Sequence, residues 1–106
     1  MALTVMVRGG DEVVADTDTD FLTATTDTSV FVTIANGDTV AATVQLFNRH
    51  LGAALNDDHR IVRDYVLQPG DVLPVPHPIN MLATDVLGGR STSASVTFRW
   101  NGWREG

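Results

Sequence analysis

Apolar and polar side chains change places at every second residue along most of the chain, in short runs bounded by Gly, Asn, Asp or Pro. A period of two marks half-buried strands, and almost no 3.6-residue apolar period competes with it. Leu3, Val5 and Val7 alternate with Thr4, Met6 and Arg8 and predict a first strand ending at Gly9-Gly10, with a short second piece at Val13-Val14-Ala15. Asp16 to Asp20 alternates Asp with Thr, has no side that suits a core, and reads as a solvated loop before a short strand over Phe21 to Thr25. In Val30 to Ala35 the set Val30, Val32 and Ile34 shares one face. Asn36-Gly37-Asp38 then supplies residues that tolerate positive φ, the mark of a hairpin turn.

The expected hairpin partner is Ala41 to Asn48, with Val44 and Leu46 on one face and Thr43, Gln45 and Phe47 on the other. Arg49 to Asp58 reads as loop. Ile61 to Leu67 predicts a strand with Val62 and Val66 on one side and Ile61, Arg63, Tyr65 and Leu67 on the other, closed by the turn Gln68-Pro69-Gly70-Asp71. Pro74, Pro76 and Pro78 follow at alternate positions. In an extended chain their missing N–H groups fall on one lateral side, so Val72 to Ile79 can pair only through the side offered by Leu73, Val75 and His77. That places it at a sheet edge. Met81-Leu82 and Val86-Leu87 predict a short turn and strand before Gly88-Gly89, and Ala94, Val96, Phe98 and Trp100 form the clearest alternation of all.

These elements predict one all-β domain over residues 1–106, an antiparallel β-sandwich or jelly-roll-like barrel of about seven or eight short strands. Its inner faces are expected to close Val30, Val32 and Ile34 onto Val96 and Phe98. Asn101-Gly102 reads as a turn, and residues 103–106 as a short tail.

Composition narrows the function classes. The chain carries 43% hydrophobic and 19% charged residues, ordinary globular usage that argues against disorder. Its net charge is -6, and its seven basic residues, all Arg, are scattered along the sequence, whereas a nucleic-acid binder concentrates positive charge on one face. The apolar start from Leu3 to Val7 is far shorter than a signal segment or the roughly 20 residues that cross a bilayer, so neither secretion by that route nor a membrane partner is expected. With no Cys, neither disulfides nor thiolates enter.

Candidate chemistry fails at named points. Asp16-x-Asp18-x-Asp20 suggests converging carboxylates for Ca²⁺, but the sixth position of an EF-hand-like loop, which requires Gly, is Phe21. His50, His59 and His77 with Asp57 and Asp58 have no short ligand spacing. Ser29, Ser91, Ser93 and Ser95 sit in no nucleophile elbow, and Gly88-Gly89-Arg90-Ser91 lacks the Lys and pattern of a phosphate loop. No catalytic residue, metal or cofactor is therefore assigned, and a binding role is expected. The candidate partner-binding residues are Trp100, Trp103 and Arg104, because Trp and Arg dominate interface hot spots, and Leu3, Val5 and Val7, because a terminal strand can add to a neighbouring sheet. Trp100 also continues the inward set of Val96 and Phe98, so a core position competes with its binding role.

From Val30 to Phe98 the order of features is a strand ending at Asn36-Gly37, an Ala/Thr/Val strand, a loop, a basic-valine strand, Gln68-Pro69-Gly70-Asp71, a Pro-rich segment, and Leu82-Ala83-Thr84-Asp85-Val86-Leu87. This order resembles small β-sandwich structural proteins of tailed bacteriophages, in which a Pro-Ala-Gly turn precedes a Leu/Pro strand and a Leu-x-x-Gly-Asp step precedes the last strands. Thr84 stands where that family often has Gly. The resemblance implies a virion protein, a decoration or cement protein bridging subunits of the major capsid protein, with self-association into a symmetric oligomer open to it. A neck or tail accessory is the alternative. Outside the resemblance, a carbohydrate- or receptor-binding sandwich using Trp103, Tyr65 and loop Asp residues is a further expectation.

Overall fold

A computed structural model describes residues 3–50, 53 and 59–106. Nine strands are found among them: β1 (Leu3–Glu12), β2 (Thr19–Thr23), β3 (Thr28–Asn36), β4 (Ala42–Arg49), β5 (Arg60–Leu67), β6 (Val72–Pro74), β7 (Ile79–Met81), β8 (Val86–Ser91) and β9 (Val96–Glu105). They form two antiparallel sheets packed face to face. One sheet runs β1-β9-β3-β6 with β7 also on β3, and the other runs β2-β8-β4-β5. Strands β1 and β9, β2 and β8, β3 and β6/β7, and β4 and β5 are partners. The chain is thus one long hairpin rolled up, which is the jelly-roll arrangement. The all-β sandwich expected from the alternation is what the chain forms.

The core lies between the sheets. Val30, Val32, Ile34, Val96, Phe98 and Trp100 come from the five-stranded sheet, and Ala42, Val44, Leu46, Leu67 and Leu87 from the four-stranded one. Phe21 joins the aromatic centre, its ring 4.9 Å from Phe98 and 5.4 Å from Trp100. Val30, Val32 and Ile34 do not close onto Val96 and Phe98 across the sandwich. Strands β3 and β9 are neighbours in one sheet, with Ile34 beside Phe98, and both sets face the second sheet.

Several expected boundaries move, and each has a physical cause. Asn36-Gly37-Asp38 is not a hairpin turn, because β3 and β4 belong to different sheets. The buried Asn36 amide instead ties the crossing together: Nδ2 donates to Val40 O and Leu67 O at 3.0 Å each, and Oδ1 accepts from Asp38 N at 2.9 Å. Gly9-Gly10, Gly88-Gly89 and Asn101-Gly102 all lie inside strands. A Cβ on Gly9 would meet the Trp100 ring at 2.5 Å, and one on Gly102 would collide with Ser29 O. Glycine in these strands marks close approach rather than a chain reversal. For the same reason residues 103–106 are not a tail, since β9 continues to Glu105 between β1 and β3.

In β5, Val44 and Leu46 oppose Tyr65 and Val62, two residues against three. The extra residue is a bulge at which Asp64 takes φ 43°. It puts Val62 and Leu67 against the core and leaves Val66 exposed, so the expected Val62/Val66 face does not exist. The proline segment lies at the sheet edge as expected, with Val75 N donating to Val32 O at 2.9 Å. His77 falls in the bend between β6 and β7 and is unpaired in the ladder. Asp57, Asp58 and most of the loop expected over 49–58 lie outside the described residues.

Candidate functional site

Register alone builds the most unusual surface of the molecule. On the outer face of the five-stranded sheet, Met6, Trp103 and Ser29 stand in one row across β1, β9 and β3. Arg8, Asn101 and Phe31 form the next row, and Gly10, Arg99 and Thr33 the one after. Leu3, opposite Glu105, reaches the same face because the ladder slips between Leu3 and Val5. Leu3, Met6, Phe31 and Trp103 are thereby 39%, 56%, 52% and 47% exposed, side by side. They line a shallow groove of about 480 Å³ together with Arg8, Ser29 and Asn101, and a second depression of about 410 Å³ continues it past Arg8 to Arg99. An antiparallel sheet with one solvated face ordinarily reads polar on that face, so a contiguous apolar patch there is the anomaly of this sheet.

The polar members of this face are weakly engaged. Arg8 Nη2 reaches only Met6 Sδ, at 3.8 Å, and neither Arg8 nor Arg99 makes an ion pair among the described residues. Arginines left free beside exposed Trp and Phe are the composition of a protein-binding hot spot.

The candidate residues divide accordingly. Trp103 and Leu3 are on this face and exposed. Trp100 is only 8% exposed and sits in the core against Phe21, so it is not available to a partner. Val7 also points inward and packs on the core, and Val5 is half-buried. Arg104 lies in the inward row with Thr28, half-buried, where Nη1 donates to Glu105 O at 3.0 Å. Phe31, Met6, Arg8, Asn101 and Arg99 were missed. The alternation held the signal: where Val30, Val32 and Ile34 face inward, Phe31 must face out, and an aromatic at a solvent position is the anomaly.

Elsewhere the candidate groups are tied up or apart. Asp20 Oδ2 pairs with Arg49 Nη2 at 2.7 Å and Asp18 Oδ1 with Arg90 Nη1 at 3.3 Å. Among the described residues no three His, Asp or Glu side chains are grouped to hold a metal. His50 Nδ1 lies 3.0 Å from Asp85 Oδ1, whereas His59 and His77 line a different groove between β5 and the proline edge. Tyr65 and Trp103 belong to different sheets and do not converge on one ligand.

No protein-family model matches this chain, and no curated protein or solved structure matches it. The surface therefore has to be read from its own chemistry.

Proposed function

We propose that the domain is a non-enzymatic binding module, a virion structural protein that docks on the major capsid protein through the outer face of its five-stranded sheet. The observation that carries this reading is the contiguous exposure of Leu3, Met6, Phe31 and Trp103 beside the Arg8 guanidinium, which makes no ion pair among the described residues. Apolar residues fixed on a rigid sheet present contact area at little conformational cost, and Arg gives such a patch polar specificity. The jelly-roll arrangement is one that capsid and lectin domains use, an analogy of fold and not a demonstration of role. The virion setting rests on the phage-like order of features from Val30 to Phe98.

The test is co-sedimentation of the purified domain with capsid shells, with bound copies counted per particle. Saturation at many copies supports a decoration or cement role. Saturation at a few moves it to the neck or tail, and no binding removes the capsid reading. Trp103→Ala and Phe31→Ala should each weaken binding by about tenfold or more, in line with hot-spot truncation.

A further inference from the structure

The five-stranded sheet has two edges of opposite character. At one, β6 and β7 are three residues each, and Pro74, Pro76 and Pro78 remove the donors that a further strand would need. At the other, β1 runs ten residues without a proline, pairs β9 on one side, and has no strand on its other side among the described residues. A long unpaired edge exposes a row of N–H and C=O groups and is a template for another strand.

The charges on β1 say which strand. Arg8 and Glu12 lie on the same outer face, both exposed, and neither has an ion pair among the described residues. Four residues apart on one strand they are separated by roughly 13 Å and cannot meet within the chain. In an antiparallel pair with a second β1 centred on Gly10, Arg8 of each copy stands opposite Glu12 of the other. Because β1 ends at Glu12, this register pairs Arg8 to Glu12 of one copy with Glu12 to Arg8 of the other, and no like charges face each other within it. Moving the centre to Arg8 would oppose two arginines, and moving it to Gly9 would set Met6 against Glu12, so complementarity selects the Gly10 register.

We propose that the domain forms a closed two-fold dimer by antiparallel pairing of β1 with β1 of a second copy, centred on Gly10. The inference does not depend on the capsid reading. The axis stands perpendicular to the sheet, so both apolar faces lie on the same side and the two Trp103 patches become one doubled surface. Both outer ends of the joined sheet are the proline edges, which stops the assembly at two copies rather than a fibre.

The test is the oligomeric state of the full chain by light scattering across a concentration series, with charge-reversed variants. Arg8→Glu and Glu12→Arg should each weaken the dimer by about tenfold, and the double variant, which restores the opposed charges in reverse order, should recover it. Because the chain has no Cys, Gly10→Cys gives an independent readout. A Cβ there meets nothing closer than Arg99 Cγ at 3.4 Å, and opposed residues at a two-fold are within disulfide reach, so mild oxidation should link two copies through position 10. A monomer at all concentrations, a double variant no better than the singles, or a Gly10→Cys chain that stays unlinked while the wild type dimerises overturns the proposal. Loss of capsid binding by Trp103→Ala with the dimer intact leaves it standing.

Discussion

Phe47 and Phe31 both point away from the space between the sheets, yet one is closed in and the other left open. Phe47 stands opposite Gly88 on the four-stranded sheet, where a Cβ on that glycine would run into its ring, and it is fully buried. The arginines around it are committed, Arg49 to Asp20 and Arg90 to Asp18. Phe31, on the five-stranded sheet, is half exposed among arginines that make no ion pair among the described residues. The same residue types serve stability on one face and availability on the other. Substitution separates the two roles. Phe47→Ala should cost about 3–5 kcal/mol of folding stability in urea unfolding, and Phe31→Ala under about 1 kcal/mol, because only the first empties a closed site. Equal losses would mean that the two faces do not differ in kind.

How much of this was legible depends on what set each feature. The inward sets Val30/Val32/Ile34 and Val96/Phe98, and the proline edge, followed from alternation and from a missing donor, both local properties. The sheet to which each strand belongs did not. Asn36-Gly37 has the residues of a hairpin turn, yet Asn36 spends its side chain on Leu67 O and Val40 O, partners that sequence proximity cannot name together. The glycines of β1, β8 and β9 read as breaks because what excludes a side chain there, the Trp100 ring or Ser29 O, arrives from another strand. Phe31 was visible in the pattern, but its grouping with Met6 and Trp103 required the register of three strands.

The relative seating of the two faces depends on the chain crossings between sheets. Between β7 and β8 the turn Leu82 to Asp85 is held by Thr84 N donating to Ala24 O at 2.7 Å and Asp85 N to Leu82 O at 3.0 Å. Thr84 takes φ 76°, a conformation that a β-branched residue adopts at a cost of about 1–2 kcal/mol and that glycine adopts freely. Thr84→Gly should stabilise the domain by about 0.5–1 kcal/mol after the extra entropy of glycine in the unfolded chain, visible as a Tm rise of a few degrees. A fall in Tm would show that the Thr84 side chain contributes more than its backbone costs.

A smaller effect separates the arginines of the two faces. Arg49 is largely covered and its Asp20 partner is half exposed, so Arg49→Ala should lose roughly 0.5–1 kcal/mol, and less in high salt. Arg99→Ala should change stability by under about 0.5 kcal/mol at any salt concentration, since Arg99 makes no ion pair among the described residues. Thermal melts at low and high salt check both. A salt-sensitive loss at Arg99 would place that arginine in a pair and weaken the contrast.

The least perturbing change concerns pH. Asp38 lies in the crossing from β3 to β4 and Ser93 in the crossing from β8 to β9, and Ser93 Oγ donates to Asp38 Oδ2 at 2.6 Å while Thr39 N donates to Oδ1 at 2.6 Å. These bonds, the Ser93 hydroxyl first, hold the Asp38 carboxyl below its ordinary value of 3.8. A group whose folded pKa lies below its unfolded pKa stabilises the fold above the unfolded value and loses that contribution as pH falls through the folded one. Wild type should therefore lose part of its stability between about pH 5 and pH 2 that Asp38→Asn does not lose, so the two unfolding midpoints converge as the solution is acidified. Ser93→Ala should shrink the same difference, because it removes the first of the bonds that lower the carboxyl. Parallel acid limbs for wild type and Asp38→Asn would mean that this joint between the sheets holds without the charge.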